Sequence, residues 1–81
     1  MQHANLMTFC QMTGLTEVEV MDFEARGLIR ATTKGTNRFY SYREAYRLKG
    51  ILYFMRTQGL SAEEAAARIE EQAAAANQKP S

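Results

Sequence analysis

The segment at residues 14–29, GLTEVEVMDFEARGLI, constrains the fold of this chain more than any other stretch. Thr16 and Glu19 have the spacing of a capping box, in which each side chain bonds the other residue's backbone N–H, so a helix is predicted to begin here. Gly14 precedes that helix and Gly27 follows it, and glycine tolerates the left-handed conformation that ends many helices. The segment therefore predicts a short helix entered through a tight turn.

Apolar residues on both sides of this turn follow the helical period. They are Leu6, Phe9, Cys10 and Met12 before the turn, and Val20, Phe23 and Leu28 after it. We expect them to face the core, with a short first helix that ends at Gly14. Two short helices joined by a tight turn form a helix-turn-helix.

Residues 28–41 change to a pattern that is typical of strands. A KGTN turn is flanked by the β-forming residues Ile29, Thr32, Thr33, Phe39 and Tyr40. This pattern predicts a two-stranded hairpin, or wing. Ser41 then has the position of an N-cap, with Glu44 at the third helical position. The helix that follows is predicted to reach about Gln58 and to end at Gly59, with an inner face of Ala45, Leu48, Ile51, Leu52 and Met55.

A second capping-box spacing, from Ser61 to Glu64, opens a last helix. Its predicted inner stripe consists of Ala62, Ala65, Ala66, Ile69 and Ala73. We therefore expect a mainly α fold, a winged helix-turn-helix with four helices plus a small β-hairpin. The expected organisation is one domain over residues 1–77 and a flexible tail over residues 78–81.

Size and composition exclude several classes of protein. A chain of 81 residues builds one modest core and has little room for a substrate cavity. No bilayer-spanning apolar run and no signal peptide are evident, so we expect a cytoplasmic location and no membrane partner. The single cysteine, Cys10, is expected in the core, and His3 in a flexible N-terminus. No nucleophile with a base, metal-ligand spacing or phosphate loop is present in the sequence, so we expect neither an enzyme nor a cofactor.

Charge is segregated along the chain. Residues 1–25 have no Lys or Arg but contain four acids: Glu17, Glu19, Asp22 and Glu24. Residues 26–56 contain one acid, Glu44, and eight basic residues: Arg26, Arg30, Lys34, Arg38, Arg43, Arg47, Lys49 and Arg56. A block this basic is typical of a surface that binds nucleic acid, and the alternative is a solvated surface that offsets the acidic segment.

The elements and the residues together resemble the DNA-binding domain of the MerR family. The segment TFCQMTGLTEVEVMDFEARGLI is similar to that family's opening, which closes on Glu-x-x-Gly-Leu, here Glu24, Gly27 and Leu28. NRFYS, with Arg38 and Tyr40, is similar to the family's wing, and QGLSAEEAAARI is similar to the start of its fourth helix. The resemblance implies a bacterial transcription regulator that sets its second helix in a major groove and its wing on the adjoining backbone.

Two features depart from that family. Where the family has Arg and Tyr in the middle of the second helix, this chain has Met21 and Asp22, with Phe23 in place of a second Tyr. The family's long dimerising helix and effector domain have no counterpart before Ser81. We therefore expect a monomer or a weakly self-associating protein of low sequence specificity, without an evident site for a small-molecule effector.

The resemblance and the basic block predict contacts with duplex DNA from the wing and from the second and third helices. The predicted residues are Arg38, Tyr40, Arg30 and Lys34 in the wing, Arg43 and Arg47 in the third helix, and Thr16 and Val18 at the start of the second. The alternatives are packing between the wing and the third helix for Tyr40, and solvated surface for Arg43 and Arg47. Other aromatic residues are expected in or beside the core: Tyr42, Tyr46, Tyr53 and Phe54. The alternative for Tyr46 and Tyr53 is that they line an interface.

A second function stays open. Chaperone-modulator proteins related to this fold use a similarly acidic second helix to bind a basic J-domain co-chaperone, and TFCQMTGLTEVEV is similar to their opening. The interacting residues would then be an exposed apolar pair, Val18 and Met21, together with Asp22. In that case the partner is a protein instead of DNA.

Overall fold

A computed structural model describes residues 3–77 of the chain. Within them the element order is β1 (His3–Asn5), α1 (Leu6–Thr13), α2 (Glu17–Ala25), β2 (Thr32–Lys34), β3 (Asn37–Ser41), α3 (Tyr42–Gln58) and α4 (Ala62–Asn77). The predicted mainly α fold with a wing is therefore confirmed. The predicted tail at residues 78–81 lies outside the described residues.

The chain forms two compact units, one ending at Lys49 and one beginning at Gly50. Each unit is described by itself below. The expectation of one domain over residues 1–77 stays a prediction.

The helix-turn-helix has the boundaries that its glycines and capping residues predict. Gly14 ends α1 with φ of 77°, and its N–H donates to the carbonyl oxygen of Cys10 at 2.8 Å. At the start of α2 the capping box is complete: Thr16 N donates to Glu19 Oε1 at 2.9 Å, and Glu19 N donates to Thr16 Oγ1 at 3.2 Å. Gly27 follows α2, also with φ of 77°. The turn is therefore held by local bonds that need no distant partner.

The wing belongs to a three-stranded antiparallel sheet of order β1-β3-β2. Strands β2 and β3 form the predicted hairpin, with Thr33 opposite Arg38. The third strand was not predicted: His3 pairs with Ser41, so the expectation of a flexible N-terminus at His3 is wrong. The three residues of β1 carry too little pattern to indicate a strand, and their order comes from pairing with β3 and from the burial of Ala4.

The core of the first unit joins α1, α2 and the sheet. Its buried residues are Ala4, Phe9, Val20, Phe23, Leu28, Ile29, Tyr40, Ala45 and Leu48. The rings of Phe9 and Tyr40 stack with centroids 4.4 Å apart, which places a wing side chain directly on α1. Cys10 is only partly buried, and burial, with a smaller contribution from Glu17, raises the pKa of its thiol. The thiol is therefore protonated at neutral pH.

The second unit contains the end of α3 and all of α4. Its buried residues are Ile51, Ala62, Ala65 and Ala66. A side chain at Gly50 would place its Cβ 3.0 Å from the Cδ1 of Ile69, so glycine allows the two helices to approach closely. The capping box at the start of α4 is confirmed, because Ser61 N donates to Glu64 Oε1 at 2.9 Å and Glu64 N donates to Ser61 Oγ at 3.1 Å.

Several predicted core positions lie at the surface instead. Tyr46 is 72% exposed, and Tyr42 and Tyr53 are exposed as well. Ala73, which was predicted to complete the inner stripe of α4, is also exposed. A helical spacing of aromatic residues indicates one side of a helix, but the spacing alone does not say whether that side is covered.

Replacing Gly27 by Ala should destabilise the protein by about 1 kcal/mol, because an L-residue at this positive φ is strained. Apart from the adjoining residues, no atom of residues 3–77 lies within 4 Å of the added Cβ, so the cost comes from the backbone conformation. Gly27→Asn should lose clearly less, since Asn adopts the left-handed conformation more readily. Urea unfolding of the wild type and both variants measures the difference. Equal midpoints for Gly27→Ala and the wild type would contradict the assigned conformation.

Candidate nucleic-acid interface

The second helix presents one side to the core and the opposite side to solvent. Val20 and Phe23 are buried. The solvent side, here called the outer stripe, consists of Val18, Met21, Asp22 and Ala25, which are all exposed. Their spacing places them on one face of the helix. The outer stripe is therefore open to solvent.

Most of the acidity of α2 is engaged within the chain. Glu19 belongs to the capping box, and hydrogen bonds from the backbone and then the side chain of Thr16 lower its pKa. Asp22 Oδ2 lies 3.4 Å from Arg26 Nη1, one helical turn away, and exposed pairs of this kind contribute about 0.3–0.5 kcal/mol. Arg26 directly follows α2, so the helix carries less uncompensated charge than its own composition indicates.

Glu24 joins α2 to the wing through both of its carboxylate oxygens. Arg38 Nη1 donates to Glu24 Oε2, and the hydroxyl of Tyr40 donates to Glu24 Oε1 at 2.7 Å. The ring of Tyr40 also stacks on Phe9. The four residues, here called the Glu24 cluster, connect β3 to both helices of the helix-turn-helix.

The protonation states of the Glu24 cluster follow from this geometry. Burial acts to raise the pKa of Glu24, but the hydrogen bonds from Tyr40 and Arg38 and the charge of Arg38 outweigh it, so that the pKa is lowered. Burial, followed by the bond to Glu24, raises the pKa of Tyr40 to about 12. At neutral pH the carboxylate is therefore charged, and the phenol is a neutral donor.

The two wing residues predicted as the strongest DNA contacts are members of this cluster. Tyr40 is fully buried and its hydroxyl donates to Glu24, so in this arrangement the hydroxyl does not reach a phosphate. The ring of Tyr40 packs on Phe9 of α1 and its hydroxyl bonds Glu24 of α2, while its packing against the third helix stays a prediction. The side chain of Arg38 is 36% exposed, which leaves part of its guanidinium accessible beside the Glu24 bond.

The other predicted cations divide into two groups. Arg30, Lys34 and Arg43 are exposed, and residues 3–77 include no carboxylate in contact with their side chains. Arg47 is half-buried, and its Nε donates to the carbonyl oxygen of Leu28 at 2.8 Å. Of the two cations predicted to contact DNA from α3, Arg43 is exposed and Arg47 is half-buried.

Two further side chains near the starts of helices are engaged within the fold. The Glu44 carboxylate, predicted to cap α3, accepts a hydrogen bond from the backbone N–H of Arg30 at 2.7 Å and so ties the start of the wing to α3. Thr16, predicted to reach base edges, uses its hydroxyl within the capping box. Val18, in contrast, is 78% exposed and lies on the outer stripe.

Sequence reasoning missed the central role of Glu24. Its partners lie 14 and 16 residues further along the chain, a distance at which no local spacing rule operates. It also missed an open groove of about 510 Å³ between the start of α1 and the wing, lined by residues 5–7 and 36–39. Residues 3–77 contain no group of side chains able to hold a metal ion, and no helix among them is long and apolar enough to cross a membrane.

The element order and the Glu24 cluster define a winged helix-turn-helix. A family model described as MerR HTH family regulatory protein matches residues 6–72. The chain therefore belongs to the MerR family of helix-turn-helix regulatory proteins. No curated protein and no solved structure is similar enough to the chain to be matched.

The Glu24 cluster should make folding stability sensitive to acid. The pKa of Glu24 in the folded chain lies below its ordinary value of 4.5. The Glu24 carboxylate therefore stabilises the folded state fully above pH 4.5, and this contribution is lost as the pH falls through the pKa of the folded state. Glu24→Gln should cost about 1 kcal/mol at neutral pH, through the loss of a charge-assisted bond on a partly exposed group.

Urea unfolding of the wild type and Glu24→Gln from pH 7 to pH 3 measures this effect. The difference in free energy of unfolding between the wild type and Glu24→Gln should decrease as the pH falls. Glu71→Gln, at an exposed position of α4, is the control and should follow the wild type throughout. A difference in free energy of unfolding that stays constant with pH would show that the charge of Glu24 does not stabilise the fold.

Proposed function

We propose that this MerR-family chain binds duplex DNA and regulates transcription, with contacts from the wing, α2 and α3. The observation that carries the proposal is the set of exposed cations at Arg30, Lys34 and Arg43, which have no carboxylate partner among residues 3–77. Cations that the fold leaves unpaired are suited to phosphate, because they give up no internal bond on binding.

The Glu24 cluster supports this function by fixing the wing relative to α2. A recognition helix and a wing must reach neighbouring parts of the duplex at the same time, and a preformed geometry reduces the entropy lost on binding. Glu24 holds one side of the Arg38 guanidinium, which orients the remaining N–H groups. In this proposal Arg38 contacts phosphate in that fixed orientation, and Tyr40 acts as a positioning residue.

The contacts proposed for the wing and α3 are to the DNA backbone and carry little sequence information. We therefore propose low sequence specificity. We also propose a cytoplasmic location for the protein.

The salt dependence of DNA binding tests the cation set. Lys34→Ala and Arg43→Ala should each weaken binding to duplexes of any sequence and reduce the slope of log affinity against log salt by about one unit, as expected for one lost phosphate contact. The control is Arg68→Ala, because Arg68 is exposed on α4 and bonds Gln58 at 2.9 Å. If the salt slope is unchanged in both Lys34→Ala and Arg43→Ala, neither residue contacts a phosphate.

A second candidate function is docking of a basic protein, such as a J-domain, on the outer stripe. The observation that favours it is the exposure of two apolar residues, Val18 and Met21, beside Asp22, because such a patch is typical of protein contact surfaces. In this case α2 is covered by protein and the wing cations take no part.

Asp22→Arg separates the two functions. If α2 lies in a major groove, the substitution should tighten binding to a duplex of A·T pairs, since it removes a repulsion and adds a charge-assisted contact. If α2 docks a basic protein, the same substitution should abolish binding of a purified J-domain, because like charges would meet. Fluorescence titration with both probes measures the two outcomes, and no change with either probe would contradict both roles of α2.

A further inference from the structure

The outer stripe of α2 offers a partner apolar groups and a hydrogen-bond acceptor, but no side-chain donor. Val18, Met21 and Ala25 are apolar, and Asp22 carries a carboxylate whose side chain is 61% exposed. Arg26, the donor that directly follows α2, bonds Asp22. This composition is unusual for a surface that reads bases, because Arg, Lys, Asn and Gln make the commonest base contacts.

A surface that offers only hydrogen-bond acceptors distinguishes bases by the donors that they present in the major groove. In the major groove guanine presents only acceptors, N7 and O6, which repel a carboxylate. The adenine amino group lies between two acceptors, its own N7 and the O4 of the paired thymine. The cytosine amino group has an acceptor on one side only, because the C5–H group lies on the other. Cytosine is therefore the base that a lone carboxylate accepts best.

The geometry of the outer stripe adds an apolar contact to this acceptor. Val18 and Asp22 stand four residues apart and so share one face of the helix. Val18, at 78% exposure, is free to contact a methyl group at the C5 position of a pyrimidine. Arg26 bonds Oδ2 of Asp22, which leaves Oδ1 for a base and reduces the repulsion between the carboxylate and the phosphates.

We infer that α2 reads a cytosine in the major groove, with Asp22 accepting a hydrogen bond from its N4 amino group and Val18 packing on a neighbouring pyrimidine methyl. The inference rests on the proposed function, because it requires α2 to enter DNA. It makes Asp22 a specificity-determining residue and names the base class that the protein prefers.

Selection from a duplex library with a randomised central segment tests this inference. The wild type should enrich a C·G pair at one position by about tenfold over the other pairs, a discrimination that one good base contact supplies. Asp22→Asn should shift the preference at that position to A·T, since an amide matches the N6 donor and N7 acceptor of adenine.

The control variant is Glu71→Gln, which removes the same charge from an exposed position of α4 and should keep the wild-type preference. Circular dichroism of both variants verifies that they fold. The same preference in the wild type and Asp22→Asn would overturn the inference. Salt-dependent binding to DNA without enrichment of any base pair would also overturn the inference but would leave the proposed function intact. The absence of salt-dependent binding to DNA would overturn both the inference and the proposed function.

Discussion

The carboxylate of Glu24 is the group on which the arrangement of α2 and the wing depends. It accepts from Arg38 and from Tyr40, and Tyr40 in turn stacks on Phe9, so a single side chain connects the sheet to both short helices. A partly buried charge needs its partners, and the loss of one partner leaves the others unsatisfied. The wing is therefore held at one orientation to α2, which the packing of apolar side chains alone would specify less closely.

The engagement of this carboxylate also changes the electrostatics of the surface. By composition α2 is acidic and the following segment is basic, yet Glu24 is paired with Arg38, and Asp22 is paired with Arg26. These pairs partly offset charges of both signs at the surface. Among residues 3–77 no carboxylate pairs with Lys34 on the wing or with Arg43 at the start of α3, so both side chains present positive charge to solvent.

Local chemistry accounts for what could be predicted from the sequence. The capping boxes at Thr16 and Ser61 and the ends of α1 and α2 involve residues within four positions of one another, so their spacing determines them. The pairing of β1 with β3 and the partners of Glu24 depend on residues much further apart. The exposure of Tyr46 was missed for the same reason, because only tertiary packing decides whether one side of a helix is covered.

The exposed cations lie on the wing and α3, whereas the exposed carboxylate of Asp22 lies on α2. This separation indicates how a helix without side-chain donors can serve a DNA-binding fold. In the proposed function, the exposed cations on the wing and α3 attract phosphate wherever it occurs, so they supply affinity without preference. If α2 enters the major groove as inferred, the Asp22 carboxylate penalises every base edge that presents acceptors alone. Specificity then arises from rejection of wrong partners more than from attraction to the right one. A protein built in this way gains selectivity at α2 without tightening its hold on non-specific DNA.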